Sequence, residues 1–274
     1  MQGSVRTSHH GPDGARLSHT QERRSAMYLP ISKNRKAPRV LACVLAAGSS
    51  SRMGFPKLLA PYLGHDGLGT CLLEHACEVA LDSHAFQVAV VTGAYAGKMT
   101  PILESCAGFD QLKRLEKPAG THGEAAQRRL VELRNDAWSQ GQSTSVRIAA
   151  QHARALDFDA IIFMAADQPF VEAEHLDALI AAFGRIRGTE APDAAPAPVA
   201  LRSRCGEHQG NPCLFPRETL PLFETLAGDE GARQLFRSGA LAAVSADIPP
   251  VIGRDVFCDL DTPEEFARFR KARL

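Results

Sequence analysis

Neither sign of charge prevails in this chain. Lys plus Arg number 31 and Asp plus Glu number 31, so the formal net charge is zero. Such a balance provides no global field to recruit nucleic acid or an anionic membrane, and any anion site has to be local. Long apolar runs are missing too. The longest fall far short of the roughly 20 residues that span a bilayer, and the N-terminus lacks the apolar core of a signal peptide, which predicts a soluble, cytoplasmic protein. No C-x-x-C pair occurs among the seven cysteines, Cys43, Cys71, Cys77, Cys106, Cys205, Cys213 and Cys258. An odd number of thiols, mostly set within apolar patterns, fits a reduced compartment in which each acts as a small hydrophobe. The ten histidines add no ligand spacing that would make a zinc site. No internal repeat divides the chain. What is there is 274 residues, 45% of them apolar, enough to bury one sizeable core.

Residues 1–37 have almost no apolar periodicity and the composition of a chain that cannot offset its ordering entropy, so a disordered tail is expected. His9 and His10 belong to that leader, and Met27 offers a second translation start ahead of a single folded domain at 38–274. Beyond the tail, strands are predicted at 39–46, 87–92, 130–134, 160–165, 198–203 and 211–215. Helical patterns fill 70–81, 143–155, 172–184, 217–226 and 229–238, with Ser143 and Asp229 as N-caps. The Pro/Ala-rich stretch 185–198 reads as a surface loop, and 108–129 resists assignment. Strands alternating with helices imply one three-layer α/β/α domain around a mostly parallel, Rossmann-like sheet. Ligands in such sheets bind at the carboxyl ends of the strands.

The most telling segment is Val40 to Lys57. An apolar run long enough for one buried strand stops at Gly48, and a loop of small residues with two cations, Arg52 and Lys57, follows at once. Small residues let backbone N–H groups approach anionic oxygens, and the cations supply the charge those oxygens need. A Walker loop is excluded because Phe55 and Pro56 separate Gly54 from Lys57. The G-x-G-x-x-G fingerprint fails because the next glycine after Gly48 is Gly54.

Three further segments add to this loop. The run Ile161 to Ala166 ends in Asp167, just before Gln168 and Pro169. A carboxylate there would point into the crevice and hold Mg²⁺ on nucleotide phosphates, or would cap a helix beginning near Val171; beside the opening loop the metal reading prevails. In Asp259-Leu260-Asp261-Thr262-Pro263-Glu264-Glu265, Thr262 to Glu265 are accounted for as a helix start. Asp259, on what looks like a strand, is not, and it calls for a cation. The segment Asn135 to Val146 reads as a turn and a capped helix, with Trp138 as core.

Together these segments resemble the molybdenum cofactor cytidylyltransferases of the MobA-like nucleotidyltransferase superfamily, in order over roughly residues 40–270. That family's loop reads L-A-A-G-x-S-x-R-M-G-x-x-K, and Leu45 to Lys57 match every specified position. The resemblance implies a Rossmann-like nucleotidyltransferase fold and the transfer of a nucleotidyl group from a nucleoside triphosphate, with pyrophosphate leaving. It implies nucleotide contacts from Leu45, Ala46, Ala47, Gly48, Ser49, Arg52, Gly54 and Lys57. Gly141 and Ser145 would contact the base, although Asp136 stands where the family has proline. It implies a metal, Mg²⁺ or Mn²⁺, held by Asp167 and Asp259 with Asp261 as the alternative, and Lys57, Arg52 and Asp167 as the catalytic set. The family's Gly-Asp-x-Gly-Ala-Arg region, here Gly228 to Arg233, is thought to face the acceptor. CTP is the implied nucleotide, since Ala46-Ala47-Gly48 is the cytidylyl form of the loop, and a molybdopterin-type cofactor is the implied acceptor. The implied partner is a molybdoenzyme of the xanthine dehydrogenase type or its maturation chaperone. The alternatives are transfer to a sugar or polyol phosphate, and a cofactor-maturation protein that binds without turnover. Residues 108–129 look like an insertion relative to the family.

Overall fold

The computed structural model describes residues 37–64, 67–115, 129–189 and 198–271. The expected disordered tail lies outside these, apart from Ala37. In chain order the strands are β1 (Val40–Ala46), β2 (Tyr62–Leu63), β3 (Gly69–Thr70), β4 (Gln87–Thr92), β5 (Leu130–Arg134), β6 (Ala160–Ala165), β7 (Ala200–Cys205), β8 (His208–Pro216) and β9 (Ala243–Asp247). The α-helices are α1 (Leu72–Asp82), α2 (Ala96–Leu115), α3 (Gln142–Ala155), α4 (Ala173–Thr189), α5 (Arg233–Arg237) and α6 (Pro263–Lys271).

The central sheet has seven strands in the order β5-β4-β1-β6-β8-β7-β9. All neighbours pair in parallel except at β8, which runs against both β6 and β7. β1 lies between two strands and under helices on both faces, and so it reads as a continuous apolar run. Its alternation sends Val40, Ala42, Val44 and Ala46 into one core and Leu41 and Cys43 into the other. The first core is closed by α1, α2, α4 and α6. The second is closed by α3, a 3₁₀ stretch at Arg217–Thr225 and α5. From β1 the chain continues to β4 on one side and later returns to β6 on the other, so a crevice opens above the carboxyl end of β1.

Several expectations need correction. Residues 185–189 continue α4 as helix, because Ile186 packs on the core and Arg187 pairs with Asp159 at 2.8 Å. Of the stretch left unassigned, 108–115 belongs to α2, whose buried stripe of Met99, Leu103 and Cys106 is obscured in sequence by Pro101 and polar neighbours; 116–128 lies outside the described residues. The predicted helix at 217–226 is 3₁₀ with Pro221 inside it, and that at 229–238 contracts to the five residues of α5. Neither Ser143 nor Asp229 is an N-cap: Gly141 precedes α3, and the Ser143 N–H donates to the Gly228 carbonyl at 3.0 Å. Asp229 stands ahead of Ala232, the N-cap of α5. The β2–β3 hairpin and β9 were not foreseen; in β9 only Ala246 is buried, so no apolar run announces it. The stretch around Asp259 is irregular backbone, tied to the sheet by one hydrogen bond from Leu260 N to Asp167 O (3.1 Å) and by no ladder.

Candidate active site

The loop after β1 is built to expose its amides. Ser50 (φ 52°) and Gly54 (φ 70°) both adopt left-handed backbone around a single 3₁₀ turn, Ser51–Met53. Three of its carbonyls are occupied: Ala47 O accepts from Ala94 N at 3.1 Å, Ser49 O from the Tyr95 hydroxyl at 3.1 Å, and Ser50 O from Met53 N at 2.9 Å. The N–H groups of Gly48, Ser49, Ser50, Ser51 and Arg52 find no acceptor among the described residues. Alternating turn conformations with free amides make an anion nest. A Cβ on Gly48 would meet nothing within 4 Å, so a side chain there would fill the space a ligand needs.

Lys57 closes one end of this nest. Its buried ammonium donates to Asp167 Oδ2 at 2.7 Å, to the Leu260 carbonyl at 2.7 Å and to Asp261 Oδ1 at 3.1 Å. All three protons are used, which holds the cation at one point. Asp261 also receives the exposed Arg52 guanidinium through both oxygens, at 3.1 and 3.3 Å. Burial acts upward on the Asp261 carboxyl, but Lys57 and Arg52 outweigh it and hold it below its ordinary range. Asp167 thus serves Lys57, and α4 begins without it at Ala173, which removes the helix-cap reading.

Asp259 lies beside the same cluster. Burial pushes its carboxyl up, the Asp167 carboxylate adds to this, and a hydrogen bond from Gln168 opposes it. The remaining polar atom of Gln168, Oε1, is buried and unpartnered. Among the described residues no three His, Cys, Asp or Glu side chains gather to enclose a metal by themselves. Two crowded carboxylates on the edge of a phosphate nest nevertheless fit Mg²⁺ or Mn²⁺. Such ions are held by one or two protein oxygens, with phosphate and water completing the shell.

The opposite wall comes from β5 and α3. Asn135, fully buried, donates to Thr144 Oγ1 at 2.8 Å and Ser145 Oγ at 2.9 Å, while its carbonyl accepts from Ala137 N at 3.0 Å. It therefore fixes the Trp138 turn against the start of α3. Gly141 has φ +107°, and a Cβ there would collide with the Gly228 backbone. These walls enclose a cavity of about 590 Å³. Leu45, Ala46, Ala47, Gly48, Ser49, Arg52, Lys57, Gly141, Ser145 and Asp167 all line it; Gly54 and Asp259 do not, and Asp261 does. Trp138, read as core, both packs on the second core and faces the cavity.

Asp229, read as a cap but also part of the region that the family resemblance turns toward the acceptor, lines the cavity from the turn docked on Gly141. Sequence reasoning missed two contributors. Gln142 lines the cavity too, and its side chain lies 2.6 Å from where a Gly231 Cβ would stand. Gly93 is pressed so closely between Ala47 and Trp138 that a Cβ would stand 2.6 Å from the Ala47 carbonyl and 2.7 Å from Trp138 Cβ. A glycine directly after β4 was the one available signal.

A mostly parallel sheet with an amide nest, two cations and a strand-end carboxylate at its switch point defines a nucleotidyltransferase. The chain belongs to the family of the MobA-like NTP transferase domain, whose model matches residues 42–244. It is 31% identical over 238 residues to the purine catabolism protein PucB of Bacillus subtilis, covering 86% of this chain and 98% of that one. Among solved structures it is similar to the homologue of Mycobacterium tuberculosis Rv0371c from Mycobacterium sp. strain JC1, with 25% identity, a TM-score of 0.58, and 86% and 96% of the two chains covered. It shares its fold with Rv0371c of Mycobacterium tuberculosis in complex with manganese, at 21% identity and a TM-score of 0.53, with 85% and 99% covered. No described helix is long and apolar enough to cross a membrane.

Proposed function

We propose that this nucleotidyltransferase moves CMP from CTP to the phosphate of a molybdopterin-type cofactor. The observation that carries the reading is the Lys57 ammonium, held where the amide nest, the end of β6 and the Leu260–Asp261 segment meet. An oxygen of the acceptor phosphate forms a bond to the α-phosphorus, the bond from that phosphorus to the bridging oxygen breaks, and pyrophosphate leaves. No general base is required, since a phosphate monoester is already ionised at neutral pH. The amides of Gly48 to Arg52 receive the phosphates, Lys57 meets the charge at the α-phosphate by giving up one of its carboxylate partners, and Arg52 reaches the β- and γ-phosphates. Catalysis here is mainly positioning and charge neutralisation. Asp167 and Asp259 would hold Mg²⁺ or Mn²⁺, which when bound neutralises charge on the phosphate oxygens; the manganese complex of the Mycobacterium tuberculosis relative supports this.

The base is read by the wall containing Ala47, Trp138, Gly141 and Ser145. Ala47 is locked between β1 and Gly93, so its methyl narrows the space beside the base and favours a pyrimidine. One methyl is worth only about 1–3 kcal/mol in such discrimination. The relative's place in purine catabolism accords with a client molybdoenzyme of the xanthine dehydrogenase type, and a cytoplasmic location accords with such a client. Pyrophosphate release with CTP, GTP, ATP and UTP against molybdopterin, sugar phosphates and polyol phosphates tests the proposal. The fastest release is expected from CTP with molybdopterin. A purine preference would remove the base assignment, release only with a sugar or polyol phosphate would remove the acceptor, and nucleotide binding without release would leave a maturation protein.

A further inference from the structure

The turn between β4 and α2 stands behind the phosphate nest and touches it twice. Ala94 N donates to the Ala47 carbonyl and the Tyr95 hydroxyl donates to the Ser49 carbonyl, each at 3.1 Å. A peptide unit is planar and trans, so its C=O and its N–H point opposite ways. Holding these two carbonyls from behind turns the N–H groups of Gly48 and Ser50 forward, toward the cavity that Ala47, Gly48, Ser49 and Ser50 line. Tyr95 does not line that cavity. Its half-buried ring packs on the first core, and its hydroxyl reaches the loop from there.

The second of these peptides needs such a hold. Ser50 has φ 52°, a left-handed backbone that a residue with a Cβ enters only at a cost, shared among the described non-glycine residues with Asp157 alone. Rotating the Ser49–Ser50 peptide by half a turn would return that φ to the ordinary negative range. The same rotation would aim the Ser49 carbonyl oxygen into the nest, where it repels a phosphate, and would withdraw the Ser50 N–H. The relaxed loop is thus the one that cannot take an anion, and reaching it breaks the hydrogen bond from Tyr95.

The hydroxyl is itself held in place. Tyr95 sits between Thr92, the last residue of β4, and Thr100, in the second turn of α2. Thr92 Oγ1 donates to Glu132 Oε1 at 2.6 Å, and Thr100 Oγ1 lies 3.0 Å from both Glu132 Oε2 and the Ala96 carbonyl. One carboxylate of β5 therefore ties both flanks of the turn, while the Tyr95 carbonyl accepts from Met99 N at 3.1 Å as α2 begins.

We propose that Tyr95 keeps the phosphate nest in its anion-binding form, its hydroxyl pinning the Ser49–Ser50 peptide in the strained orientation while Glu132 fixes the turn that carries it. Tyr95 is a positioning residue, acting through the backbone of Ser49 and Ser50. This role rests on the nucleotidyl-transfer reading and deepens it.

The test uses the full chain with Tyr95→Phe, which keeps the ring on the core, and with Tyr95→Phe combined with Ser50→Gly, since glycine enters left-handed backbone freely. Calorimetry gives Kd for CTP and for inorganic triphosphate, which has no base. Tyr95→Phe is expected to raise both Kd values by a common factor of about two to ten, the scale of one hydrogen bond. The double variant is expected to recover most of that loss, which a general loosening of the fold would not allow. Unchanged triphosphate affinity in Tyr95→Phe, a loss confined to CTP, or no recovery in the double variant overturns the proposal. Pyrophosphate release from CTP is followed on the same proteins. Should wild type release none with any acceptor, the nucleotidyl-transfer reading fails by itself, and the triphosphate titrations still decide the role of Tyr95. No triphosphate binding in wild type overturns that role.

Discussion

Lys57 and Asp167 form one unit, and their substitution is expected to behave that way. With Lys57→Ala the nest loses its fixed cation. With Asp167→Ala, Lys57 loses its shortest carboxylate contact, the 2.7 Å one, and the proposed metal loses a ligand. Each is expected to lower turnover about 10²-fold or more, the scale for one preorganised charge-stabilising group, and the double variant to cost little beyond either single one. Wild-type turnover in either variant, measured as pyrophosphate release, would sink the assignment. Asp259 and Asp261 should separate. Asp259→Asn is expected to raise the Mn²⁺ concentration needed for half-maximal rate while sparing CTP affinity, since its carboxylate crowds Asp167. Asp261→Asn is expected to spare the metal requirement and change CTP affinity, since it neutralises the group shared by Lys57 and Arg52. Identical metal titrations for the two variants would refute the division. The motif puts Asp259 first and Asp261 as the alternative for the metal, and it says nothing of the cations; only the fold shows that Asp261 is the acid that meets Lys57 and Arg52.

At the scale of elements, the contact between the α3 start and the Gly228–Gly231 turn decides the shape of the pocket. Gly141→Ala would place a methyl into the Gly228 backbone at a positive φ. Strain of this kind costs about 1–3 kcal/mol, so the denaturation midpoint should fall and CTP binding should weaken with it; an unchanged midpoint would mean that the turn does not dock on α3. The parallel core was legible in advance because β1, β4 and β6 are buried on both faces and carry unbroken apolar runs. Helix α2 and strand β9 were not, for opposite physical reasons. The buried stripe of α2 is sparse and interrupted by Pro101, while β9 is an edge strand whose outward residues need not be apolar. Ser143 and Asp229 misled because a capping residue type at a turn does not say whether its backbone is already served by another segment. Thr262 was legible, and its box is complete: Glu265 N donates to Thr262 Oγ1 at 3.2 Å, and the Glu265 carboxylate accepts from Thr262 N at 2.9 Å.

For the whole molecule, two imidazoles set an acid limit. His175 is fully buried, with Nδ1 accepting from Glu172 N at 2.9 Å and Nε2 facing the Pro249 carbonyl at 3.0 Å; burial lowers its pKa, as it does that of His152. A group depressed in the folded state contributes stability above its unfolded pKa of about 6.5 and loses it as pH falls further. Urea midpoints are therefore expected to drop between pH 7.5 and pH 5.5, and a flat profile over that range would show that neither ring is kept neutral by the fold. The same long-range closure has a consequence for how the chain is made. Phe55 beside the nest packs on Phe266 of α6 at 5.7 Å between ring centroids, and Lys57 takes an acceptor 203 residues further on. At about 5–20 residues per second, the nest leaves the ribosome roughly ten to forty seconds before the oxygens that orient its lysine. Until α6 emerges, the nascent chain carries its phosphate loop without the clasp that aims it, and the site becomes able to act only once that helix has been made.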